Sequence, residues 1–155
     1  MTSPTVDRSE PARHDRRLLL VLERLLGLEL GDFSAAMAQA AQQVAEVLVA
    51  DKVDVFFYAP AEQALIAEGT NDSAMARRQR ALGLDHLPLA RGGRTVHVFQ
   101  TGESYRAERA ERDPVELPEI IDQLRVRSLL AVPLQIAGTP SGVLVASSSR
   151  PAAFT

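Results

Sequence analysis

The chain has 155 residues, enough for one domain with little left over for a second. Hydrophobic residues make up 46% and charged ones 24%, so there is apolar material for a core and no compositional sign of wholesale disorder. Lys and Arg number 17 against 20 Asp and Glu, a net charge of −3, and bulk charge does not drive such a chain onto nucleic acid. Cysteine is absent, which excludes disulfides, thiolate metal sites, cysteine nucleophiles and thioether-linked cofactors. No apolar run approaches the ~20 residues needed to span a bilayer; the leucine-rich one, Leu18 to Leu22, is stopped by Glu23 and Arg24. The first residues are polar and proline-bearing, unlike a signal peptide, and the expected location is the cytoplasm. Of the basic residues 16 are Arg and one is Lys52.

In chain order, residues 1–13 read as a disordered tail, with Pro4 and Pro11 among polar residues. Residues 14–30 are leucine-dense. Leu18, Val21, Leu25 and Leu28 share one helical face, and Leu19, Leu22 and Leu26 form a second stripe beside it. A helix apolar over so wide an arc needs cover on two sides, which points either to a homodimer through this helix or to an ordinary core helix. Gly27 and Gly31 are expected to end it, and Asp32 to cap a second helix from Phe33 to Val49. Val53 to Ala59 reads as a strand, with Val53, Val55 and Phe57 on one face and Asp54, Phe56 and Tyr58 on the other. Pro60 to Gln63 turns the chain into a return strand, Ala64 to Glu68. Asn71-Asp72-Ser73 opens a short helix to about Arg80. Leu82 to Gly93 is expected to be irregular. Arg94 to Gln100 is a short helix closed by Gly102, followed by a strand at Ser104 to Ala107, a charged loop, and a helix from Glu116 to Arg125. Leu129 to Ile136 and Val143 to Ser149 form a terminal hairpin around a turn at Gly138 to Gly142, and Pro133 marks an edge or a bulge. Helices, a hairpin, a helical excursion and a second hairpin make an α+β fold with a mostly antiparallel sheet of five or six strands flanked by helices.

The run from Gly93 onward resembles a GAF domain, the small PAS-related sensory module of signalling proteins. The residues that carry the likeness are Thr101-Gly102-Glu103, Asp113-Pro114, Arg127-Ser128, Val132-Pro133-Leu134, Gly142-Val143-Leu144 and Phe154-Thr155. The likeness covers residues 32–155. That family normally continues into a long helix where this sequence stops, which suggests a fragment of a longer signalling protein. The resemblance implies a ligand pocket between one sheet face and the excursion from Asn71 to Ser104. Its walls are expected from Phe56, Tyr58, Leu87, His97, Val98, Tyr105, Ile121, Leu129 and Ala131.

The candidate chemistry is thin. His14, His86 and His97, with Asp85, match no standard metal-ligand spacing. Haem-bearing relatives carry their histidine where this chain has Arg125-Val126-Arg127, and covalent bilins and the methionine sulfoxide reductases of this fold need cysteine; no cofactor is expected. The cyclic-nucleotide signature of the family has no counterpart. No Gly-x-Ser-x-Gly elbow or other catalytic set assembles, so the expectation is a non-catalytic domain. The most informative polar cluster is Arg91-Gly92-Gly93-Arg94 at a helix start, with Arg77, Arg78 and Arg80 nearby and only Asp85 opposing them. Converging backbone N–H groups, a helix N-terminus and guanidinium groups suit a phosphate- or carboxylate-bearing ligand, while a solvated basic surface is the plain alternative. The expected function is small-molecule sensing for a histidine kinase or similar output, without direct contact to nucleic acid or membrane. A ligand-free dimerisation or protein-interaction module is the other reading.

Overall fold

A computed structural model describes residues 30–154, with side chains from Asp32 onward. The chain divides into two compact units, residues 1–34 and 35–155. The tail assigned to residues 1–13 and, apart from Leu30, the leucine-rich helix at 14–30 lie outside the described residues. Helix α1 is Leu30–Leu48. Gly31 and Asp32 already lie inside it, so neither divides two helices at that point. Asp32 sits in the first turn, where a carboxylate complements the helix dipole as well as a cap would.

Six strands follow: β1 Lys52–Ala59, β2 Ala64–Thr70, β3 His86–Pro88, β4 Tyr105–Ala107, β5 Ser128–Ile136 and β6 Thr139–Ser148. They form one sheet in the order β3-β2-β1-β6-β5-β4 with antiparallel pairing throughout. Between β2 and β3 stands helix α2, Ala74–Ala81, capped by Ser73 Oγ accepting from the Ala76 N–H at 3.0 Å. Helix α3, Arg94–Thr101, ends at Gly102, and α4, Pro118–Asp122, is a single turn. Two short 3-10 turns, Leu89–Arg91 and Ala110–Arg112, lie before α3 and after β4.

The sequence expectations fail mainly where pairing is non-local. β3 is three residues added to the edge of β2 (Leu65 pairs with Leu87), and nothing local distinguishes it from loop. The helix expected at Glu116 to Arg125 keeps only its middle, because Leu117 and Leu124 reach the core from outside the helical turn. The terminal turn is Ala137-Gly138, so β6 starts four residues early and Pro140 pairs with Gln135. Pro133 lies on β5 beyond the last residue paired with β4, Ala131, so its missing N–H breaks no ladder there.

The alternation of β1 divides the core. Val53 and Val55 pack with Ala41 and Ala45 of α1 and with Ala146 and Phe154. Phe56 packs on the opposite face with Leu65, Leu84, Leu87, Val96, Val98, Leu129, Val143 and Val145. The small residues of α1 let its backbone ride close to the sheet. A Cβ at Gly69 would stand 2.6 Å from the Met37 carbonyl oxygen. Gly69→Ala is therefore expected to destabilise the domain by about 1–3 kcal/mol as helix and sheet are pushed apart. Chemical denaturation checks this, and an unchanged midpoint would mean that α1 yields freely.

Candidate functional site

On the Phe56 face, beneath α2, α3 and α4, lies a cavity open to the centre of a water-sized sphere over about 20 Å³, room for about one or two waters. Its apolar wall includes Phe56, Leu84, Leu87, Leu124, Leu129 and Val145, and its polar wall is Lys52, Asp54, Gln79, Thr95, Glu116 and Ser147. The strand period explains the polar half. Lys52 and Asp54 precede Phe56 at spacing two on a central strand, so both face inward. Lys52 is 3% exposed and Asp54 fully buried, and the two form an ion pair. Asp54 Oδ1 also accepts from Gln79 Nε2 at 2.8 Å and from Thr70 Oγ1 at 2.9 Å. The carboxylate thus has three donors, which is what makes a buried charge tolerable.

Glu116 brings a second carboxyl to the cavity. Burial pushes its pKa upward, opposed in part by the N–H groups of Leu117 and Arg94, which donate to Oε1 at 2.8 and 3.3 Å. The segment that carries it is fastened to the Arg91–Arg94 turn. Arg94 grips Asp113 with both sides of its guanidinium, Nε and Nη2 each donating at 2.7 Å. The guanidinium lies 3.9 Å above the Tyr105 ring, a cation–π geometry. Arg91 pairs with Glu119 at 2.8 Å. Leu117 fills the space left by the missing side chain of Gly93, where a Cβ would stand 2.8 Å from Leu117 Cγ. Asp113 is held below the usual carboxylate range: burial alone would raise it, but the hydrogen bonds from Arg94 and the Val115 N–H, the Arg94 charge and Tyr105 outweigh that. Burial, reinforced by Asp113, pushes the Tyr105 phenol up.

The expected site residues therefore fall into four places. Phe56, Leu87 and Leu129 line the cavity. Val98 and Ala131 are buried in the surrounding core, with Ile121 packed against it. Arg94, His97 and Tyr105 come together around Asp113, His97 Nδ1 standing 3.2 Å from Arg94 Nη1, and the carboxylate expected from a ligand is supplied there by the chain itself. Tyr58 stands apart, its ring 4.8 Å from that of Phe99, in an open groove of about 610 Å³ that also includes Ile136 and Pro140. Sequence reasoning missed the polar wall of the cavity. One signal was available: the chain uses Arg 16 times and Lys once, and that lysine opens a strand ahead of an inward-facing aspartate.

The GAF domain family matches residues 32–155. A free methionine-R-sulfoxide reductase from Neisseria meningitidis, solved with its substrate, is 20% identical, with 100% of this chain and 85% of that one covered and a TM-score of 0.64. The GAF domain of an Acinetobacter phosphoenolpyruvate-protein phosphotransferase is also 20% identical, covering 86% of this chain and 77% of that one at a TM-score of 0.62. A NreA protein from Staphylococcus aureus, mutated in its nitrate-binding site, is 18% identical over 80% of this chain and 92% of that one, with a TM-score of 0.64. No curated protein sequence matches the chain. These likenesses correct one expectation. A non-catalytic role does not follow from the architecture, because a reductase shares it. No helix among the described residues is long and apolar enough to cross a membrane. With four fifths of its length matched and a six-stranded antiparallel sheet flanked by helices, the chain belongs to the GAF domain family.

Proposed function

We propose that this GAF domain senses a small molecule in the cytoplasm and passes the signal to the output of a signal-transduction protein, a histidine kinase or a similar partner. The observation that carries the reading is the cavity: polar groups converge on a space walled by the sheet and the helical excursion. Core packing alone favours apolar side chains there, because a buried polar group without a partner costs free energy. The turn at Arg91–Arg94 and the segment from Asp113 to Glu119 form the closure, tied by two arginine–carboxylate pairs. A ligand acts on an output only through different affinities for two arrangements of the domain, and in this reading the tied segment is what differs between them. A neighbour of the same fold carries a nitrate-binding site, which supports a small guest. A thermal-shift screen of metabolites against the full chain is the test. At least one compound should raise Tm in the unmodified protein and lose most of that effect in Thr95→Val. A screen in which no compound moves Tm would end the reading.

The proposal includes a homodimer through residues 14–30, for which the two leucine stripes are the argument. Changing Leu18, Leu22 and Leu25 to polar residues should give a folded monomer by light scattering. An unmodified protein that is already monomeric at high micromolar concentration would remove the dimer from the proposal.

A further inference from the structure

The hydrogen-bond inventory of the cavity goes further than its shape. Asp54 is occupied by Lys52, Gln79 and Thr70, and Glu116 Oε1 by two backbone N–H groups. Lys52 gives one N–H to Asp54 and has two more to give. Gln79 Oε1 and the hydroxyls of Thr95 and Ser147 make no hydrogen bond among the described residues. These four side chains are buried, between 2% and 8% exposed, and all four line the same cavity. Both signs of hydrogen-bonding capacity are therefore open: N–H from Lys52, a carbonyl oxygen from Gln79, and two hydroxyls able to serve either way.

Charge is not open in the same way. The ammonium of Lys52 and the carboxylate of Asp54 are paired with each other. Glu116 is partly buried, and two backbone N–H groups hold its Oε1. A cation entering this space would meet the Lys52 ammonium, and an anion would meet two carboxyl groups. An anion would find no unpaired counter-charge there, and a cation would find only Glu116, at the cost of facing the Lys52 ammonium. A neutral guest loses less on entry and finds open groups of both kinds.

Resting on the sensing reading above, we propose that the cavity takes a small uncharged molecule with a carbonyl-type acceptor and an N–H donor, the short carboxamide class. The carbonyl oxygen would accept from Lys52 and the guest's N–H would donate to Gln79 Oε1, with Thr95 and Ser147 completing the shell. Space for about one or two waters holds one or two heavy atoms, so a guest of roughly three to five enters only as the Asp113–Glu119 segment swings out.

The test uses the full chain and three probes of similar size: acetamide, sodium acetate and methylammonium chloride, at pH 7.5 and matched ionic strength. Thermal shift and amide chemical-shift titration are read together. Acetamide is expected to raise Tm in a saturable way, with a Kd of about 1 mM or weaker for so small a guest. It should perturb the amides around Gln79, Thr95 and Ser147, and acetate and methylammonium should not. Ser147→Ala and Thr95→Val, which leave the ion pair intact, should each weaken the acetamide response severalfold while the protein stays folded. Lys52→Met with Asp54→Leu removes both charges together and should abolish it. If acetate or methylammonium binds at these residues and acetamide does not, the ligand class is wrong while the sensing reading stands. If acetamide acts equally on all variants, its effect lies elsewhere and the proposal fails. If none of the three perturbs the cavity residues, the proposal fails, and the metabolite screen then decides the sensing reading separately.

Discussion

Asp54→Ala should lower the stability of the domain by about 3–5 kcal/mol, because it strands the Lys52 ammonium in a site 3% exposed. At roughly 2–4 °C per kcal/mol for a chain of this size, Tm should fall by about 6–20 °C. Gln79 and Thr70 lose their acceptor in the same stroke, and both donors lie where water has little room. The double variant Lys52→Met with Asp54→Leu separates the worth of the pair from the cost of breaking it. It removes both charges and fills the space with apolar groups of similar length. It should be far less damaging than the single change, since a buried ion pair is commonly close to neutral against apolar replacements. Urea denaturation of the three proteins gives the comparison. If the single variant loses no more than the double, water reaches Lys52 and the pair is not buried in solution.

Lys52 also shows where the fold and the site were legible and where they were not. The alternation in Lys52–Ala59 is a local property of the chain, and the structure places Val53 and Val55 toward α1 and Asp54 and Phe56 toward the opposite core. Ser73 as a helix cap and Gly102 as a helix stop are likewise local signals. Edge strand β3 and the shortened α4 are decided by partners far along the chain, and no window around them holds the information. The site divides the same way. Apolar wall residues such as Phe56, Leu87 and Leu129 follow from strand pattern and family likeness. The polar wall draws Lys52 and Asp54 from β1, Gln79 from α2, Thr95 from α3, Glu116 from a loop and Ser147 from β6, and a cluster assembled from five places leaves no spacing to read. Arg94 was visible as a charge beside two glycines. Its partner Asp113, 19 residues on, was not.

Removing that arginine is the second large effect. Arg94→Met should cost about 3 kcal/mol, between the small worth of an exposed pair and the larger cost of breaking a buried one. The placement follows from exposure: the Arg94 side chain is 12% exposed and that of Asp113 3%. The variant loses two hydrogen bonds of 2.7 Å and the stacking on Tyr105, and leaves a carboxylate whose remaining N–H donor is Val115 at 3.0 Å. The loss should depend on pH, with a sign that can be worked out. Asp113 is held below its ordinary pKa in the folded protein, so the unfolded chain binds the proton more readily. The stability from the pair is then complete above the unfolded carboxylate pKa of about 3.9 and fades as pH falls through the lower folded value. Glu116 has the opposite sign: its folded pKa is raised, and its contribution is lost as pH rises through that value. The gap in Tm between the unmodified protein and Arg94→Met should therefore be widest near neutrality and close below about pH 4. A gap that stays constant from pH 7 to pH 3 would mean that the arginine acts through packing on Tyr105 and not through Asp113. Hydrogen exchange gives the functional half of the argument. The Val115 and Leu117 amides, each bonded to a carboxylate of the fastened segment, should exchange faster in Arg94→Met while those of β1 and β6 do not. That pattern is expected of a closure over the cavity that opens as a unit, tied by Arg91 and Arg94 to carboxylate partners on the moving side.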